Sequence, residues 1–199
     1  MNYFWNSDRG YLSDCLHTSG FAKAAEAGID DALRSNQLYA ITLGVITDKE
    51  IQRSIFDSSS CLIIPGAIRS LADKTVDYPL PVYSNTGELL NDPHNPYHGH
   101  YEGDEDTRRK PAYHNGTAWN WPFPSYPEAM IAIYGKEAIP TAKSLLYSSR
   151  ILFDTGALEQ LPEVMDGSAP HTPRGCDSQA WSVTEIIRVL KKCEENFEN

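Results

Sequence analysis

The amino-acid sequence predicts an all-α protein whose helices are joined by long aromatic and polar loops. Three observations lead there. Apolar residues recur at helical spacing in several segments, convincing strand alternation is missing, and clusters of Pro and Gly separate the helical stretches. Short hairpins inside the Pro-rich region stay open beside that reading.

Each element follows from local chemistry. Residues 36–47 are apolar nearly all round, as in a short buried helix. Asp48 is placed to cap a second helix that carries Ile51, Ile55 and Phe56 on one face. Between Pro65 and Pro111, the prolines Pro79, Pro81, Pro93 and Pro96 together with Gly87, Gly99 and Gly103 break any regular element. A loop of that length inside a domain is usually functional. A helix is expected to resume near Thr117, interrupted by Pro122, Pro124 and Pro127, with a clean part from Glu128 to Tyr134. Ala138, Ile139, Ala142, Leu145, Leu146, Leu152 and Phe153 continue the helical period, and Gly156 is placed to stop it. The last predicted helix puts Val183, Ile186, Ile187 and Leu190 on one stripe, with Ser178 as its cap.

Composition excludes several classes. At 199 residues the length favours a single domain, and 41% hydrophobic with 22% charged residues is a globular composition. The net charge of −10 argues against nucleic acid and anionic membranes. The one compact basic run, Arg108-Arg109-Lys110, directly follows Asp104, Glu105 and Asp106. No apolar stretch approaches a bilayer span, and the first residues show no signal peptide. Cys15, Cys61, Cys176 and Cys193 lack Cys-x-x-Cys spacing, so reduced cytoplasmic thiols are expected. Asn115-Gly116-Thr117 is read as a chance sequon.

Three constellations carry chemistry. In Tyr113–Pro122, His114, Asn115, Trp119 and Trp121 combine flat rings with hydrogen-bonding groups, as a sugar pocket requires. On its own the Trp-x-Trp pair reads as two core anchors, and it is the neighbouring His114 and Asn115 that turn the reading toward a site. In Leu161–Gly167, Glu163 sits among Leu161, Pro162, Val164 and Met165, a setting that raises a carboxyl's pKa toward a general base's working range. An exposed loop Glu is the alternative, and Asp166 is the next candidate base. His94, His98 and His100 with Asp92 and Asp104 have metal-ligand chemistry but no recognised spacing, so no metal or other cofactor is expected. Ser178 and Ser182 lack the context of a nucleophile.

The runs YHNGTAWNWP (Tyr113–Pro122), LPEVMDG (Leu161–Gly167) and HTPRGCDSQAWSVTE (His171–Glu185) resemble the C-terminal catalytic domain of amylo-α-1,6-glucosidases. Phe4-Trp5, Gly10-Tyr11-Leu12 and Arg34-Ser35-Asn36-Gln37 resemble further segments of that domain in the same order. The resemblance implies an (α/α)6 barrel of the six-hairpin glycosidase type, of which residues 1–199 would form only the C-terminal part. It implies inverting hydrolysis of α-1,6 branch points in glycogen-type glucans, with a branched α-glucan as the partner. Glu163 takes the position of the general base, while His114, Trp119, Trp121, His171, Arg174 and Gln179 fall in segments near the sugar. The family's general acid is an Asp in a Trp-Met-Asp-Ala-type segment absent from this sequence. The chain alone is therefore expected to be inactive and to self-associate through an incomplete barrel. Another glycosidase on the same barrel, such as a glucoamylase or trehalase, and a non-catalytic glucan-binding remnant are the rival readings.

Overall fold

A five-stranded antiparallel sheet runs through the middle of the chain, and this overturns the all-α expectation. The computed structural model describes residues 3–18 and 20–198. It is 40% helical and 13% strand, and it is not an all-α barrel. The strands were hidden because each is two or three residues long, too short for a period of two to show in a sequence.

Two small antiparallel pairs open the chain. β1 (Trp5–Asn6) pairs with β2 (Tyr11–Leu12), and β3 (Leu16–His17) pairs with β4 (Gly28–Ile29). A 3-10 turn at Ser35–Leu38 then leads into α1 (Tyr39–Thr42). The expected buried helix over 36–47 is thus cut to little more than a turn. The chain reverses at Gly44 with φ near +70°, and Leu43 is 74% exposed. α2 (Lys49–Ser59) forms as expected. Asp48 accepts from the amides of Glu50 (2.9 Å) and Ile51 (3.1 Å), satisfying donors that a helix start leaves orphaned.

β5 (Ile63–Ile64) and β6 (Ala67–Arg69) form a hairpin around Gly66. The Pro-rich stretch is indeed mostly irregular, with an isolated bridge between Tyr83 and Leu89. A π-helical turn, Glu105–Arg109, feeds α3 (Lys110–Ala112). The helix expected near Thr117 is instead β7 (Thr117–Trp119), which pairs with β6. α4 (Ser125–Tyr134) tolerates Pro127 because it lies in the first turn, where no intrahelical amide is lost.

α5 (Ile139–Tyr147) continues as a 3-10 turn over Ser148–Leu152. β8 (Val164–Asp166) pairs with β7, and β9 (Pro173–Arg174) closes the sheet in the order β5-β6-β7-β8-β9. α6 (Ala180–Glu198) is the last element among the described residues. Its start differs from expectation, since the Ser178 hydroxyl is turned to Gln160 Oε1 at 3.1 Å.

Register explains the packing, because directly opposed residues of an antiparallel sheet share a face. Ala118 lies opposite Met165, and with Ala67 they pack on Leu152, Leu161 and the α6 residues Val183 and Ile186. Trp119 lies opposite Ile68 and Val164, on the other face. A second cluster joins α4, α5 and α6 through Ile131, Ile139, Leu146 and Val189. The largest cluster, with Leu38, Ile55, Leu62 and Phe123, ties α1 and α2 to the sheet. The predicted α6 stripe is therefore mostly inward, though Ile187 is left exposed. Among the described residues, no helix is long and apolar enough to cross a membrane.

Candidate functional site

The sequence between Tyr113 and Pro122 folds as turn, strand and turn, which sends alternate rings to one side. Gly116 makes this possible. A Cβ there would meet the backbone of Tyr101 at 2.4 Å and of His100 at 2.6 Å, so the long loop can cross only at a glycine. His114, Trp119 and Trp121 consequently line one open cleft of about 310 Å³. The N-terminal region adds Arg34, Asn36 and Tyr39 to the lining, and the start of α6 contributes Trp181.

The rings form a connected series. Tyr39 stacks near Trp121 (centroids 6.3 Å), and Trp121 stacks on Trp181 at 5.0 Å. Trp181 meets Trp119 edge-on at 6.5 Å, and Trp119 lies parallel to His114 at 6.4 Å. Edge-to-face and offset contacts of this kind hold aromatic surfaces rigid at low entropic cost. The Trp119 indole N–H donates to Thr117 Oγ1 at 2.9 Å, which fixes its plane. Arg34 is equally constrained. Its guanidinium donates to Asp14 (2.7 Å) and Asn115 (3.0 Å) and lies over the Tyr97 ring.

Glu163 lies one ring away from this cleft and does not line it. It accepts from the Tyr113 hydroxyl at 2.8 Å and from the Cys176 amide at 3.0 Å. Its own amide donates back to the Cys176 carbonyl at 2.8 Å. Tyr113 in turn meets Trp119 edge-on at 5.5 Å, so a single phenol ring connects the carboxylate to the cleft. Burial, and then the bond to Glu163, push the Tyr113 phenol well above its ordinary pKa of 10.0. It is a neutral donor at any working pH. Gly175, at φ near +71°, packs directly on this carboxylate, and a Cβ there would come within 2.5 Å of Glu163 Oε2.

The remaining nominated residues are not brought into the cleft. Arg174 forms a two-pronged pair with Asp166, both bonds 3.1 Å. That pair commits Asp166 to a cation and makes it a poor rival to Glu163 as a base. His171 turns Nδ1 toward the Asp166 carbonyl at 3.2 Å, and the Gln179 amide donates to the Leu161 carbonyl at 2.9 Å. Arg174, His171 and Gln179 thus shape the loops that carry Glu163.

Sequence reasoning did not nominate Arg34, Asn36, Tyr39 or Trp181. The resembling segments Arg34-Ser35-Asn36-Gln37 and His171–Glu185 contain three of them, Arg34, Asn36 and Trp181.

The loop histidines disperse. His94 turns Nδ1 to the Val76 carbonyl (2.9 Å), and His100 pairs with Asp73 and Glu102. Among the described residues, the group of three metal-type donors that does converge is Cys15, His17 and Asp30.

A family model described as amylo-alpha-1,6-glucosidase matches residues 88–188, a span that includes the aromatic strand, Glu163 and the start of α6. No solved structure matches the chain.

Proposed function

The chain belongs to the amylo-α-1,6-glucosidase family, and from that premise we propose that the aromatic cleft binds a glucosyl unit at an α-1,6 branch point. One observation carries this reading. Indoles from two separate parts of the matched span, Trp119 and Trp121 on one side and Trp181 on the other, meet in a single open cleft with Arg34, Asn36 and His114 beside them. Sugars present apolar C–H faces rimmed by hydroxyls, and rings next to fixed polar groups match both features.

Glu163 is the general base of the proposed reaction. An inverting glycosidase needs a carboxylate that stays ionised and takes a proton from the attacking water. Glu163 is held by two neutral donors, Tyr113 and Cys176, with no cation bonded to it among the described residues. A second carboxyl must protonate the leaving oxygen, roughly 6.5–9.5 Å from the base, and this reading assigns that role to no residue here.

That Glu163 reaches the cleft only through Tyr113 favours a second reading, in which the cleft binds glucan without hydrolysing it. Binding tests the shared part. Titration with a branched limit dextrin should quench tryptophan fluorescence, and Trp119→Ala or Trp121→Ala should weaken binding about tenfold, in line with losing about 0.5–1.5 kcal/mol of aromatic contact. Unchanged affinity in both variants would remove the cleft from consideration.

A further inference from the structure

Beside Tyr97, the ring that the Arg34 guanidinium covers, three side chains of different chemistry point at one spot. Cys15 and His17 flank the β3 residue Leu16, and residues two apart on an extended strand share a face. Asp30 follows β4, and its amide donates to the Cys15 carbonyl at 3.1 Å, which sets it directly across from Cys15. Backbone pairing therefore delivers a thiol, an imidazole and a carboxylate to one place.

The distances among the donor atoms identify what that place fits. Cys15 Sγ lies 3.4 Å from His17 Nε2 and 3.7 Å from Asp30 Oδ2, and His17 Nε2 lies 3.0 Å from Asp30 Oδ2. A tetrahedral zinc ion with sulfur at ~2.3 Å and nitrogen and oxygen at ~2.0–2.1 Å has ligand–ligand edges of roughly 3.3–3.6 Å. The observed triangle is within a few tenths of an ångström of that. A catalytic Cys-His-Asp relay has another geometry, because it uses the two opposite nitrogens of the imidazole. Here the same Nε2 faces both the sulfur and the carboxylate.

The surroundings are those of a built site. The Asp30 carboxylate is fully buried, yet its Oδ1 accepts from the Ala32 amide at 2.9 Å and its Oδ2 from the Tyr97 hydroxyl. Those bonds fix its orientation as outer hydrogen bonds fix metal-binding carboxylates. The His17 ring stacks on Tyr78 at 5.3 Å with the planes 4° apart. Gly28, opposite His17, leaves room for that ring, since a Cβ there would overlap Tyr78 at 1.9 Å.

We propose that Cys15, His17 and Asp30 are the protein ligands of a tetrahedral transition-metal site, of zinc chemistry, with the fourth position open to water. Thiolate plus imidazole plus carboxylate selects a borderline ion over Mg2+ or Ca2+. As the metal–sulfur bond forms, the Cys15 thiol proton leaves to solvent. Tyr97, bonded directly to Asp30, links this site to Arg34 at the cleft wall.

Cobalt reports the site without reference to any sugar chemistry. The full chain, stripped with chelator, should take up one Co2+ with a thiolate-to-cobalt charge-transfer band and tetrahedral d–d bands, and Zn2+ should abolish both. Cys15→Ser should lose the charge-transfer band, whereas Cys61→Ser and Cys176→Ser should keep it. Asp30→Asn should weaken Co2+ binding by at least about 100-fold and Tyr97→Phe by about tenfold. Absence of a charge-transfer band in the wild-type chain, a result that needs no variant to fold, would overturn the proposal. So would a band that survives Cys15→Ser.

Discussion

Glu163 and Glu128 are two carboxylates held in opposite ways. Glu128, on α4, is 4% exposed and receives Arg188 on both oxygens, at 3.0 and 2.7 Å, and Lys192 at 2.8 Å. Burial pushes its pKa up, but the bonds from Arg188 and then Lys192 more than offset this and hold it below the ordinary 4.5. Glu163 has a phenol and a backbone amide instead. A carboxylate neutralised by two cations is a fastener between α4 and α6. One held by neutral donors is not committed to a cation, and that difference separates a structural Glu from a candidate base.

The comparison can be broken most decisively at Glu163. In an enzyme that carries this chain and hydrolyses a branched limit dextrin, Glu163→Gln should lower kcat by about 10²-fold or more with little change in substrate affinity. Near-normal turnover would end its assignment as the base. Retained binding in a chain that never shows turnover would support the binding-only reading.

Glu128→Gln should leave binding untouched and cost about 2 kcal/mol in urea denaturation. That lies below the usual figure for a broken buried pair, because Arg188 and Lys192 are partly solvated. The sign with pH follows from the depressed pKa. The Glu128 contribution is fully present above the unfolded-state value near 4.5 and is lost as pH falls through the lower folded value. The wild-type chain should therefore lose stability below about pH 4.5 more steeply than Glu128→Gln. Parallel acid limbs in the two proteins would show that the pair contributes nothing to folding.

The smallest effect belongs to the phenol between Glu163 and the cleft. Tyr113→Phe should keep the edge-on contact to Trp119 and remove only the donor to Glu163. A fall in kcat of about tenfold or less is expected, because the Cys176 amide remains. An effect as large as that of Glu163→Gln would move Tyr113 itself into the chemistry.

The sequence revealed what local chemistry decides. Asp48 and the spacing of Ile51, Ile55 and Phe56 specify α2 within eleven residues, and α2 forms as read. The sheet depends on partners far apart in the chain. Thr117–Trp119 becomes a strand only because residues 164–166 and 67–69 arrive beside it. No window of sequence around Trp119 contains that information, and a barrel inferred by resemblance did not supply it. The site divides in the same way. Trp119, Trp121 and His114 are neighbours in sequence and were legible as a group, while Trp181, Tyr39 and Arg34 join them only through the fold. The Arg174–Asp166 pair shows the converse, two charged residues near the Glu163 loop that satisfy each other instead of a ligand.

Gly175 gives the Glu163 carboxylate an unusual mechanical status. Residue 163 is bonded to Cys176 through its amide and again through Oε2, while the bare α-carbon of Gly175 fills the space beside the carboxyl. Main chain and side chain are thus latched to the same dipeptide, at a turn that only glycine adopts without strain. The carboxylate has no independent swing of its own. Its position relative to Tyr113 and the cleft is therefore set by the Arg174–Cys176 loop and not by a choice of rotamer.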